Sequence, residues 1–225
     1  MSRLTLRLPW LSSALLVLLL AGLVLPLSGC AFLYMANEQQ NGKKVEAQYN
    51  GLDDKKVVLV VYVDPSTTME YPAARQEISA FVASAMAKGM PKVRLVPYED
   101  VLRWQNETLN WFAMPEKDIG KHFSADRVIY IELMDYGTRE AGSDELLRGH
   151  IKTVAKVFEV DTPGTTAAWR EDLTVHWPDQ MPLDSSKTND VEVRRELLDR
   201  YARILVGRFH DHRVKEESIR DRKDL

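Results

Sequence analysis

Residues 57–65 read VVLVVYVDP, an unbroken apolar run from Val57 to Val63 closed by Asp64-Pro65. A strand with one wet face alternates apolar and polar side chains, whereas a strand covered on both faces is apolar throughout. The run therefore predicts a central strand with helices on each side. Downstream, Pro72 suits a first helical position. Ala74, Ile78, Phe81, Val82, Ala85 and Met86 then recur at helical spacing until Gly89. Val93–Val96 predicts a second strand ending at Pro97, a turn or two of helix follows from Tyr98, and Pro115 opens a shorter helix with Ile119 and Phe123. Arg127–Leu133, RVIYIEL, predicts the third strand.

The second half changes character. Gly149–Val160 and Thr165–Trp177 predict long strands joined at Asp161-Thr162-Pro163-Gly164, a hairpin turn signature. On the latter strand Trp169, Leu173, Val175 and Trp177 share one face, and Arg170, Asp172, Thr174 and His176 share the other. Asn189, with Glu192 three residues on, predicts the cap of a last helix whose apolar stripe runs through Leu197, Leu198, Tyr201, Leu205 and Phe209. Its outer face is expected to pair Arg195 with Asp199 and Glu196 with Arg200. The fold class is thus α/β, a mixed sheet in the order strand-helix-strand-helix-strand-strand-strand-helix with a long C-terminal hairpin.

Residues 1–29 have two arginines, no acid and a leucine-rich run from Leu11 to Leu27, which predicts an export signal. Leu27-Ser28-Gly29-Cys30 closes that run and matches the bacterial lipobox. Cys30 is the single cysteine, so no disulfide can form within the chain, and lipidation at this thiol accounts for it. An ordinary signal peptide with an incidental cysteine, or an uncleaved anchor over Trp10–Leu27, remain alternatives. In either anchored case the domain faces the same side. Ala31 is not the aspartate that retains many lipoproteins at the inner membrane, so the outer membrane is expected. The organisation read from sequence is a signal peptide over 1–29, a lipidated end and polar tether over 30–56, the α/β domain over 57–212 and a charged tail over 213–225.

Removing Arg3 and Arg7 from 30 basic residues leaves 28 against 33 acids, a formal charge of −5. A mildly acidic chain lacks the field that phosphate backbones require, so nucleic acid is not expected. The turn after the first strand, DPSTTMEYP, has no glycine, so backbone cannot close around a phosphate and no nucleotide is expected. There is no G-x-S-x-G, and the lone thiol is at the lipid position. His210 and His212, two apart on what reads as helix, would point away from each other, so no metal is expected. No catalytic residue or cofactor is assigned. What survives is a basic strip: Arg148, His150, Lys152 and Lys156 alternate on one face of the first hairpin strand, with Arg170 on its partner. It reads either as a solvated sheet face or as a docking surface for an acidic partner.

The element order behind a lipobox, with SADRVIYIEL at 124–133 and VAKVFEVDTPGTTAAW at 154–169, resembles the TolB amino-terminal-like domain of envelope lipoproteins. That group includes the curli-secretion lipoproteins and the penicillin-binding-protein activators. The resemblance covers about Val57 to Phe209. It implies a membrane-anchored, non-enzymatic module that binds another envelope protein. The curli-secretion proteins add long membrane-spanning hairpins, and no such amphipathic insert occurs here, so a pore is not expected. A membrane-tethered enzyme assembled from distant residues is the alternative.

Overall fold

The computed structural model describes residues 42–214. In chain order the elements are β1 (Lys43–Val45), β2 (Lys56–Val63), α1 (Pro65–Glu70), α2 (Ala74–Gly89), β3 (Arg94–Leu95), α3 (Tyr98–Glu107), a 3-10 turn (Trp111–Ala113), α4 (Glu116–His122), β4 (Arg127–Arg139), β5 (Leu146–Glu159), β6 (Trp169–Trp177), β7 (Leu183–Asp184), α5 (Asp190–Val206) and β8 (His212–Val214). The described residues divide into a large unit, Glu46–His212, and a small one that includes residues 43–45 and 213–214. In the small unit Arg213 donates to the carbonyl of Gly42 at 3.3 Å.

The large unit is mixed α/β. Its sheet runs β3-β2-β4-β5-β6, with β7 paired to one end of β5. β2 lies parallel to β3 and β4, and the chain turns antiparallel through β4, β5 and β6. The apolar run at 57–63 explains the layering. Val57, Leu59 and Val61 point into one core with α2 and α5, while Val58 and Val60 point into a second core with Val101, Trp111 and Ile119. The first core extends along the whole sheet through Ile131, Ile151, Ala155, Leu173 and Val175. The second stops at β4 and the far end of β5, where Phe158 is its last strand residue.

α5 is tied to the sheet by the fully buried Tyr201, whose hydroxyl lies 3.1 Å from that of Thr153. Burial pushes the phenol well above its usual range. Asn189 caps the helix, accepting from the Glu192 amide at 3.0 Å. The outer-face ion pairs differ from expectation. Arg195 meets Glu196, Asp199 meets Arg203, and Arg200 reaches Asp179 at 2.6 Å in the segment after β6. Helical spacing says which residues are neighbours on one helix but not what a long side chain finds beyond it.

Two boundaries also depart from the sequence reading. Residues 46–56, expected to be the end of a tether, are packed onto the domain: Leu52 is fully buried, the amides of Gln48 and Tyr49 donate to the carbonyl of Arg208, and the Tyr49 hydroxyl donates to Glu159 at 2.8 Å. A lone leucine in a polar segment gives no periodic signal. The last helix stops at Val206 rather than continuing through His212. The amides of Arg208 and Phe209 turn back to the carbonyls of Leu205 and Val206, and Phe209 packs edge-on against Trp169 at 5.0 Å.

Candidate functional site

β5 and β6 are the place where the sheet has only one covered face. Cross-strand register sets Lys156 opposite Arg170, Lys152 opposite Thr174 and His150 opposite His176. On the β4 side Lys156 stands opposite Tyr130, Lys152 opposite Asp135 and His150 opposite Gly137. Arg148, His150, Lys152, Lys156 and Arg170 therefore do share the outer face, as alternation predicts. Lys152, Arg170, Asp172 and Thr174 are exposed there.

The strip is not a free basic field. Lys156 lies 3.3 Å from Glu132 and 5.9 Å from the centre of the Tyr130 ring. His150 Nε2 lies 3.5 Å from Asp135, Arg148 lies 3.8 Å from Glu140, and Arg170 lies 3.3 Å from Asp172. Lys152 alone of the five makes no ion pair among the described residues. Periodicity along one strand shows which side chains share a face, but three of these carboxylates come from β4 or the turn after it. The face thus alternates cations and anions.

At its lower end the face folds into a cleft of about 250 Å³ lined by Asp135, Arg139, Glu140, Arg148, His150 and His176. Gly137 makes room for it: a Cβ there would lie 2.5 Å from the His150 ring. The neighbouring strand positions shift register between Leu133 and Asp135 and again between Gly137 and Arg139, and such bulges re-aim side chains near a sheet end. Two buried atoms in the cleft, Glu140 Oε2 and Arg148 Nε, have no hydrogen-bond partner among the described residues. The Arg148 guanidinium does donate to the carbonyl of Asp179 at 2.9 Å. His176 is pushed below the usual imidazole range, first by burial and then by the nearby Arg148 and His150. It is therefore held as a neutral ring that can donate or accept one hydrogen bond at each nitrogen. The pairing of His150 with His176 is the residue relation that sequence reasoning missed. Counting register outward from the Pro163-Gly164 turn would have found it.

The lipobox, Leu27 to Cys30, lies outside the described residues. His210 and His212 do not diverge as expected. With the helix ended at Val206 their rings meet at 5.3 Å between centroids. His122 stacks on Trp104 at 5.3 Å. Among the described residues no three His, Cys, Asp or Glu side chains are grouped to hold a metal ion, and no helix is long and apolar enough to cross a membrane.

The chain matches no protein-family model and no curated protein. Among solved structures it is similar to lipoprotein GNA1162 from Neisseria meningitidis, at 14% identity and a TM-score of 0.43, covering 67% of this chain and 97% of that one. It is also similar to the PelC dodecamer from Paraburkholderia phytofirmans, at 13% identity and a TM-score of 0.41, covering 72% and 93%. A minor lipoprotein from Acinetobacter baumannii is similar at 11% identity and a TM-score of 0.37, covering 70% and 97%.

Proposed function

We propose that the chain is a lipoprotein of the bacterial cell envelope, held at the outer membrane by lipid on Cys30, whose TolB amino-terminal-like domain docks another envelope protein through the open face of β5 and β6. The anchor rests on Leu27-Ser28-Gly29-Cys30 and on the absence of any second cysteine. More than one acyl chain on that thiol holds the domain stably, since each buried methylene contributes about 0.8 kcal/mol. The docking role rests on one observation: a sheet covered on both faces at β2 and β4 leaves β6, and β5 short of Phe158, outside the second core. Alternating charge on that face selects a partner with a complementary alternating pattern, and the unpartnered Glu140 and Arg148 atoms give it hydrogen bonds to complete.

Mass spectrometry of the mature chain tests the anchor, with Cys30→Ala expected to lose the acyl mass. A photocrosslinker at Thr174, on the exposed face, tests the docking. Its yield should fall with salt and with Lys152→Glu and Arg170→Glu together, while folding changes little because both charges are exposed. A yield unmoved by either treatment removes this face as the docking surface.

A membrane-tethered enzyme is the second reading, favoured by the convergence of Asp135, His150 and His176 from three strands. In that case His176→Gln would abolish turnover of an envelope substrate while leaving the Thr174 crosslink intact.

A further inference from the structure

We propose that a second site lies on the opposite side of the sheet, in the cleft between the carboxyl ends of α2 and α5, and that it takes a small amphipathic anion: an apolar body with one carboxylate or phosphate head. The cleft encloses about 450 Å³, within the roughly 300–1,000 Å³ of small-molecule sites. Its apolar wall is made by Phe81, Ala85 and Val206, and its polar rim by Lys88, Asp199, Arg203 and the two imidazoles of His210 and His212.

The rings are seated by two glycines. A Cβ on Gly89 would lie 2.8 Å from His210 Nε2, and one on Gly207 would lie 2.9 Å from His212 Cε1. Any larger residue at either place would displace a ring and alter the mouth of the cleft. Each Nδ1 lies 3.1 Å from a backbone carbonyl, that of Asp211 for His210 and that of His210 for His212. A carbonyl only accepts, so each Nδ1 carries the hydrogen, and both rings are held in one tautomer.

Charge decides the ligand's sign. Lys88 has no ion pair among the described residues. Arg203 shares Asp199 at 3.0 Å, but both side chains are about half exposed or more, and such a pair is weak enough for a ligand head to compete with it. The carboxyl ends of two helices would by themselves repel an anion. Part of that repulsion is offset where end carbonyls already accept hydrogen bonds, Met86 from the amide of Met90, Leu205 from that of Arg208 and Val206 from that of Phe209. Asp199 offsets part of the Arg203 charge, and Lys88 is the cation at the mouth that has no ion pair among the described residues. The site shares no residue with the hairpin face, so it stands or falls apart from the docking proposal.

Photolabelling of the full-length chain tests it, using diazirine probes that share one alkyl body and end in a carboxylate, a phosphate monoester or an uncharged alcohol. At least one charged probe should label residues 81–89 and 203–212 about tenfold more than the alcohol does, which is the ratio expected for one charge-assisted contact. The charged probe that labels identifies the head group. Ala85→Trp, which fills the cleft, should remove the label. Lys88→Glu with Arg203→Glu should reduce it about tenfold without changing the melting profile, since both residues are exposed. Equal labelling by the alcohol, or labelling that survives the charge reversal in a folded chain, overturns the proposal.

Discussion

The two ends of the β4–β5 hairpin carry similar residues under opposite conditions. At the end where β4 begins, the Arg127 side chain is only 8% exposed, yet it is fully engaged: it lies 2.9 Å from Asp161 and 3.6 Å from Glu159, donates to the Tyr49 hydroxyl and donates to the carbonyl of Asp126. At the other end Arg148 is more exposed, its nearest carboxylate oxygen, Glu140 Oε2, is 3.8 Å away, and neither that oxygen nor the Arg148 Nε has a hydrogen-bond partner among the described residues. A closed network fixes geometry, because each buried charge is matched. An open one leaves capacity for something outside the chain. The first end holds the N-terminal segment onto the domain; the second is where a ligand or partner gains most.

Removing the arginine should therefore cost most at the closed end. Arg127→Met strands Glu159 and Asp161 and should cost about 3 kcal/mol in urea unfolding of residues 46–214, the low end for a broken buried pair because Asp161 stays wet. Arg148→Met should cost less than about 1 kcal/mol. Equal losses would mean that the two ends do not differ as their geometry says.

Packing gives a second, smaller contrast. Trp169, at the closed end, meets Phe209 at 5.0 Å and donates from its indole to Gln48 at 3.2 Å. It is half-buried, so Trp169→Ala should cost about 2 kcal/mol, below the roughly 3–5 of a fully buried tryptophan. A loss under about 0.5 kcal/mol, within the range of ordinary surface changes, would contradict the packed face.

The closed end should also respond to alkali. Burial first, and then the bond to Glu159, raise the Tyr49 phenol to about 12. A raised phenol favours the neutral form in the folded chain, so its contribution is intact below about pH 10 and is lost as pH rises through about 12. Tyr49→Phe should lose less stability than wild type over that window. Parallel curves would show that Tyr49 titrates alike in both states.

How much of this was legible in advance follows from how far each signal reaches. The run at 57–63 told of two covered faces because seven consecutive apolar residues admit no wet side. Alternation in 169–177 told which side chains point outward, because the period of a strand is local. Neither could show Asp135 beside His150, since that contact depends on the register shift between Leu133 and Asp135 in β4. The packing of Leu52, and the meeting of His210 with His212 beyond the helix end, are likewise products of tertiary closure. The positions of the basic strip share a face through local alternation, but their carboxylate partners come largely from another strand.

The smallest expected effect belongs to the open end, and it is the one that tests whether that end is ready for a partner. His176 is held below the usual imidazole range by burial, by Arg148 and by His150, with Glu140 and Asp179 acting in the opposite sense. A depressed imidazole favours the neutral ring in the folded chain. Its contribution is therefore present above the unfolded value of about 6.5 and is lost as pH falls through the lower folded value. Between about pH 7 and about pH 5 the wild-type domain should lose more stability than His176→Gln, which has no proton to gain. Because the ring is partly exposed, water screens it and the difference should be a fraction of that at Tyr49. A bound partner that covers the cleft would bury the ring further and enlarge this acid sensitivity, so the crosslink from Thr174 should weaken over the same interval in wild type and less in His176→Gln. If both proteins lose stability and crosslink in parallel, His176 is a solvated side chain, and the open end is a charged surface without a built site.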